Sequence, residues 1–129
     1  MITGLGSDIV QIERVEKSIK KFRNKFLHKI FTISEIEIAK VFTSDKRIYS
    51  YYAKRFAAKE AFVKALGVGF RNGIKFTDIE VINDHNRKPS IALHGAAKNY
   101  MEQNHSKAKI HLSLTDDYPV AMAVVIIEG

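Results

Sequence analysis

The chain has 129 residues, enough for one domain, with 46% hydrophobic and 27% charged side chains, the balance of a protein that folds around a core. It has no cysteine, which excludes disulfide scaffolds, thiol catalysis, iron–sulfur clusters and cysteinyl zinc sites, and its 7 Gly and 2 Pro exclude collagen-like and linker-like chains. Twenty-one Lys and Arg against 14 Asp and Glu leave a net charge of +7, which favours an anionic partner: nucleic acid, phosphates or an acidic protein.

In chain order, residues 1–10 read as a first strand broken by Gly4 and Gly6 and running into a turn. Ser7, Asp8, Gln11, Glu13 and Arg14 interrupt the early apolar run, so no secretory core follows Met1, and no stretch reaches a membrane span. A cytoplasmic protein is expected. Ile12, Val15, Ile19, Phe22 and Phe26 then recur every three or four residues, the stripe of one amphipathic helix whose flanks carry Arg14, Lys17, Lys20, Lys21, Arg23 and Lys25. Thr32 with Glu35, and Ser34 with Glu37, have capping-box spacing and start a second helix near residue 33. The longest helix is predicted over residues 46–66, ending at Gly67 and Gly69, with Ala53, Ala57, Glu60 and Lys64 on one face.

Residues 74–83 are strand-like. A turn over 83–88 leads through Pro89 into Ile91 and Leu93, which predicts a hairpin. Residues 95–104 form a further helix, and residues 110–115 and 120–127 two closing strands. The fold class is α+β: a single domain over residues 1–129, helices mostly first, packed on an antiparallel sheet that dominates the second half.

Among groups able to do chemistry, Asp8 follows Gly6, where a tight turn would expose a short carboxylate; a helix N-cap is the competing role. Glu60 lies mid-helix beside small residues, and an ordinary i, i+4 pair with Lys64, worth about 0.3–0.5 kcal/mol, competes with a site role. Asp8 and Glu60 together would suit Mg²⁺, which takes one or two carboxylates and completes its octahedron with water and phosphate oxygens. Lys64, one turn on, would reach the same phosphates. The backbone around Gly67, Gly69 and Gly73 is free of bulk and suits phosphate contact, although no Walker A or dinucleotide fingerprint is present. None of the five histidines has zinc-site spacing; His111 shares the polar face of an alternating strand with Ser113 and Thr115.

Residues 4–10, continuing to Arg14, together with the run from Arg55 through Lys59, Glu60 and Lys64 to Gly67, resemble the paired signature of the 4′-phosphopantetheinyl transferases, in particular its small single-domain group. Residues 69–73, 87–89 and 111–117 extend the resemblance to nearly the whole chain. It implies the 4′-phosphopantetheinyl transferase fold and a reaction in fatty acid biosynthesis: a serine hydroxyl of apo-acyl carrier protein attacks the β-phosphate of coenzyme A, and adenosine 3′,5′-bisphosphate leaves. On this resemblance Asp8 and Glu60 bind Mg²⁺, Lys64 contacts the transferred phosphate, and either Glu60 or a metal-bound water is the general base. Arg55, Lys64, His111, Gly67, Gly69 and Gly73 line coenzyme A, and Arg14, Lys17 and Lys21 dock the acidic helix of the carrier protein. Asp116 stands where some members carry a second histidine. The resemblance further implies a homotrimer with sites between protomers. A basic nucleic-acid-binding module is the alternative that the charge alone would suit.

Overall fold

One long helix organises the molecule, and the computed structural model describes residues 1–129 around it. The elements run β1 (Ile2–Gln11), α1 (Ile12–Phe22), α2 (Asn24–Ile30), α3 (Ile33–Ala39), α4 (Asp45–Leu66), β2 (Ile79–Asn83), β3 (Pro89–Leu93), α5 (Gly95–Asn104), β4 (Lys109–Asp117) and β5 (Val120–Glu128). Ser44 caps α4 by accepting from the Arg47 N–H, and Gly67 ends the helix in the left-handed conformation (φ 81°) that glycine adopts without strain.

Two antiparallel sheets flank the helices: a three-stranded one in the order β1-β5-β4, and the predicted hairpin β2-β3. The N-terminal strand thus belongs with the C-terminal pair, because its inward residues and those of β5 bury against the same side of α4. Alanines make this approach close. Ala121 and Ala123 of β5, and Ala53, Ala57, Ala58 and Ala61 of α4, are wholly buried. On β1 the side chain is dispensed with altogether. A Cβ on Gly6 would lie 2.0 Å from the Ala61 carbonyl oxygen, and one on Gly4 2.4 Å from that of Ala65. Gly4 and Gly6 therefore do not break the strand into a turn, as the sequence suggested; β1 continues through both to Gln11.

Two further expectations are corrected. The predicted first helix is two helices, since Arg23 takes φ 50° and interrupts the axis between α1 and α2. Phe22, at the end of α1, is consequently 51% exposed, with the Lys21 ammonium 5.2 Å from its ring centroid, whereas Phe26 packs edge-on against Phe31. The strand-like run 74–83 contains a single 3₁₀ turn, Phe76–Asp78, and only its second half is strand. There the Asp78 carboxylate accepts from the Lys75 N–H and closes the turn.

At the centre lies a buried ion pair. Lys59 on α4 and Glu35 on α3 are fully enclosed, and the Lys59 Nζ donates to Glu35 Oε1 (2.8 Å), to the Phe76 carbonyl (3.1 Å) and to the Ile79 carbonyl. The second Glu35 oxygen accepts from the Val81 N–H at 3.0 Å. Thr32 and Glu35 also form the predicted capping box of α3. Burial pushes the Lys59 ammonium below the usual lysine range, and the Glu35 charge opposes that shift. Every donor has an acceptor, so the pair is tolerated; removing one partner alone would cost about 3–5 kcal/mol.

Candidate active site

Alternation along β1 puts Gly4, Gly6, Asp8 and Val10 toward the helices, so the carboxylate of Asp8 emerges beside the glycine-lined contact with α4. Glu60 immediately precedes Ala61, the residue on which Gly6 rests. Asp8 and Glu60 consequently line one cleft of about 360 Å³, with Arg14 and Ser18 from α1 and the rings of Phe26 and Phe56 as its apolar wall. Lys64, one turn beyond Glu60, donates to Asp8 Oδ1 at 3.0 Å and to the Ser7 carbonyl at 3.1 Å.

These contacts decide between the competing roles. Asp8 is not a helix cap: the residue at that position of α1 is Gln11, and no side chain caps the helix there. The ion-pair partner of Lys64 is Asp8 rather than Glu60. Glu60 stands above the ordinary glutamate range, first because burial disfavours its charge and second because Asp8 repels it, with Lys64 opposing both. Two carboxylates from separate elements thus face one cleft with an ammonium beside them. This donor set, two carboxylates and no third ligating side chain, fits Mg²⁺, which needs few protein ligands and completes its shell with water and phosphate oxygens.

Apart from Arg14, the remaining predicted residues lie outside this cleft. Arg55 is five positions before Glu60, which turns it roughly 140° around the helix. It lines a different cavity of about 410 Å³ with Lys46, Arg47, Lys54 and Asp116. Its guanidinium lies 3.8 Å from the Tyr51 ring centroid, burial lowers its pKa, and its buried Nε has no hydrogen-bond partner. Asp116 pairs with Lys54 at 3.0 Å. His111 is half exposed on the outer face of β4 and meets Glu128 at 2.9 Å. Gly67 and Gly69 sit in open space, and Gly73 lies near Ala96. Of the basic residues on α1, Arg14 joins the carboxylate cleft, whereas Lys17 pairs with Glu13 (3.2 Å) and Lys21 covers Phe22, both on the exposed flank.

Sequence reasoning did not single out Lys46, Arg47 and Lys54, which share the Arg55 cavity, nor the rings of Phe26 and Phe56 as walls of the carboxylate cleft. Spacing does carry the latter signal: Phe56 is four residues before Glu60 and so on its face.

Residues 4–123 match the 4′-phosphopantetheinyl transferase superfamily, and the chain belongs to it. Within that superfamily its relatives are holo-[acyl-carrier-protein] synthases. The one from Wolbachia pipientis is 47% identical over 127 residues, covering 98% of each chain. The crystal structure of the Neisseria meningitidis synthase superposes with a TM-score of 0.90 at 34% identity over the full length of both chains. That of the Helicobacter pylori synthase in complex with coenzyme A gives 0.80 at 36% identity, covering 96% of this chain and 99% of that one. The nucleic-acid module that charge alone would allow finds no support among these relatives.

The fold class is as predicted, helices on antiparallel strands, and no helix is long and apolar enough to cross a membrane.

Proposed function

We propose that the chain transfers 4′-phosphopantetheine from coenzyme A to a serine of apo-acyl carrier protein, a step in fatty acid biosynthesis. The observation that carries this reading is the convergence of Asp8 and Glu60 on one cleft, with the Lys64 ammonium paired to Asp8. Asp8 and Glu60 would hold Mg²⁺, which when bound neutralises and orients the pyrophosphate. The serine oxygen attacks the β-phosphorus, the bond from that phosphorus to the bridging oxygen breaks, and adenosine 3′,5′-bisphosphate leaves. Glu60 itself, or a water on the metal it would hold, would accept the serine proton. Lys64, paired with Asp8, would offset charge growing on the phosphoryl oxygens. Lys17 and Lys21, on the exposed flank of α1 beyond Arg14, form a basic surface for an acidic carrier protein.

The nucleotide half of coenzyme A would use Arg55, His111 and the loop of Gly67, Gly69 and Gly73. Arg55 and His111 lie off the Asp8 and Glu60 cleft of their own chain, so the complete site would be shared between protomers. The outer face of the three-stranded sheet supports such an assembly: Leu5 lies opposite Ile126 and Ile9 opposite Met122, and Leu5 and Ile9 are 67% and 64% exposed. An apolar sheet face of this kind is covered by association, and we assign it to a homotrimer. The decisive experiment is mass spectrometry of apo-acyl carrier protein incubated with the chain, coenzyme A and Mg²⁺. A gain of one phosphopantetheine is expected; an unchanged mass refutes the assignment.

A further inference from the structure

We propose that Lys59 and Glu35, which line neither cavity, are positioning residues for the active site: their ion pair fixes the backbone of Phe76, whose ring ties the glycine loop to the wall of the Glu60 cleft. The kinetic part of this proposal rests on the coenzyme A reading above.

A buried pair that merely joined α3 to α4 would be replaceable by apolar side chains of similar volume. This one does more, because one of the three Lys59 N–H groups holds the Phe76 carbonyl at 3.1 Å and another holds Ile79, which brackets the 3₁₀ turn from both ends. The Phe76 ring is in turn the middle member of a stack. It lies 4.0 Å from the Phe70 ring centroid, tilted by 31°, and 5.7 Å from that of Phe56, at 21°. Phe70 belongs to the loop of Gly67, Gly69 and Gly73, whose first two glycines face open space, and its ring is, with Val68, one of the two loop side chains packed against the core. Phe56 lines the cleft of Asp8 and Glu60. A shift of Phe76 therefore moves the loop and the cleft wall relative to each other, and the only ammonium holding the Phe76 carbonyl is that of Lys59.

The test compares three folded variants with the wild type. Lys59→Met/Glu35→Leu replaces the pair with an apolar one, Glu35→Gln retains an oxygen for Lys59, and Phe76→Leu removes the middle ring while leaving the pair. Two readouts are taken: amide hydrogen exchange of residues 68–73 in the protein alone, and kcat and KM for coenzyme A and for carrier protein. In the double variant and in Phe76→Leu, loop exchange and KM for coenzyme A should each rise about tenfold, with KM for carrier protein unchanged; Glu35→Gln should lie between them and the wild type. Loop protection and KM for coenzyme A at wild-type values in the double variant would overturn the proposal. Should that variant fail to fold, unchanged exchange in Glu35→Gln overturns it instead. A wild-type chain that does not modify carrier protein would refute the functional reading, and the exchange measurement, which needs no coenzyme A, would still decide the positioning role.

Discussion

Replacing Gly6 by alanine adds one methyl group where strand and helix backbones meet. The new Cβ would lie 2.0 Å from the Ala61 oxygen and 2.6 Å from the Ala65 nitrogen, against ordinary contact from 3.4 Å, so the gap has to open by about 1.4 Å. Both obstacles are backbone atoms, and no rotamer change relieves them. Overpacking of this kind costs about 1–3 kcal/mol. Its effect on the site is larger than its effect on the fold: Asp8 lies two residues along the strand and Glu60 one residue before Ala61, so the displacement falls between the two carboxylates. A misplacement near 1 Å reduces a positioned reaction by up to about 100-fold. Urea unfolding should show the midpoint lowered with an unchanged slope, and initial rates of carrier-protein modification should fall by that factor. Ser7→Ala, one residue along on the outer face, should match the wild type in both. A folded Gly6→Ala that turns over at the wild-type rate would refute the idea that this contact sets the spacing of the carboxylates.

Asp8→Ala should abolish turnover at ordinary Mg²⁺ while circular dichroism stays native, and wild-type turnover would remove Asp8 from the metal site. Lys21→Glu, on the exposed flank of α1, should raise KM for carrier protein and weaken its normal dependence on salt, with KM for coenzyme A unmoved; a parallel rise in both constants would place docking elsewhere. Glu60 has a folded-state pKa above its unfolded value, so its ionisation destabilises the fold as pH rises through the folded pKa. Glu60→Gln should therefore be inactive yet more stable than the wild type at pH 7–8, the advantage disappearing as pH falls below the ordinary glutamate range; denaturant titrations at several pH values check the sign. Leu5→Arg, on the outer sheet face and outside the cleft, should yield a monomer by light scattering and lose activity through the shared site, and a trimer of normal size would refute that use of the face.

The elements that periodicity alone could locate were legible: α4 with its glycine stop, α5 and the capping box at Thr32 lie where local spacing puts them, and the β2-β3 hairpin forms with a shorter first strand. What local spacing cannot carry is the conformation of one residue. The 3–4 recurrence from Ile12 to Phe26 continues across Arg23, whose positive φ separates the two helices and leaves Phe22 in solvent. Gly4 and Gly6 read as turn residues because glycine serves both turns and close approaches, and only the partner backbone distinguishes them. The Asp8, Glu60 and Lys64 grouping was legible through the paired motif, not through composition. Lys59 left one signal in plain sight: a lysine flanked by Ala57, Ala58, Ala61 and Phe62, on the apolar side of its helix, needs an acid partner inside the core.

The alternation of β1 joins two properties that an engineer would wish to vary separately. Even-numbered residues from Gly4 to Val10 point inward and carry Asp8, while Leu5 and Ile9 form the apolar part of the outward face. Deleting a single residue between Gly6 and Asp8 would exchange the two sets, aiming the carboxylate outward and driving Ile9 toward the alanines of α4. Point substitutions can tune either face, but insertions and deletions in this strand alter both together, so viable length variation among chains of this design should be confined to the loops.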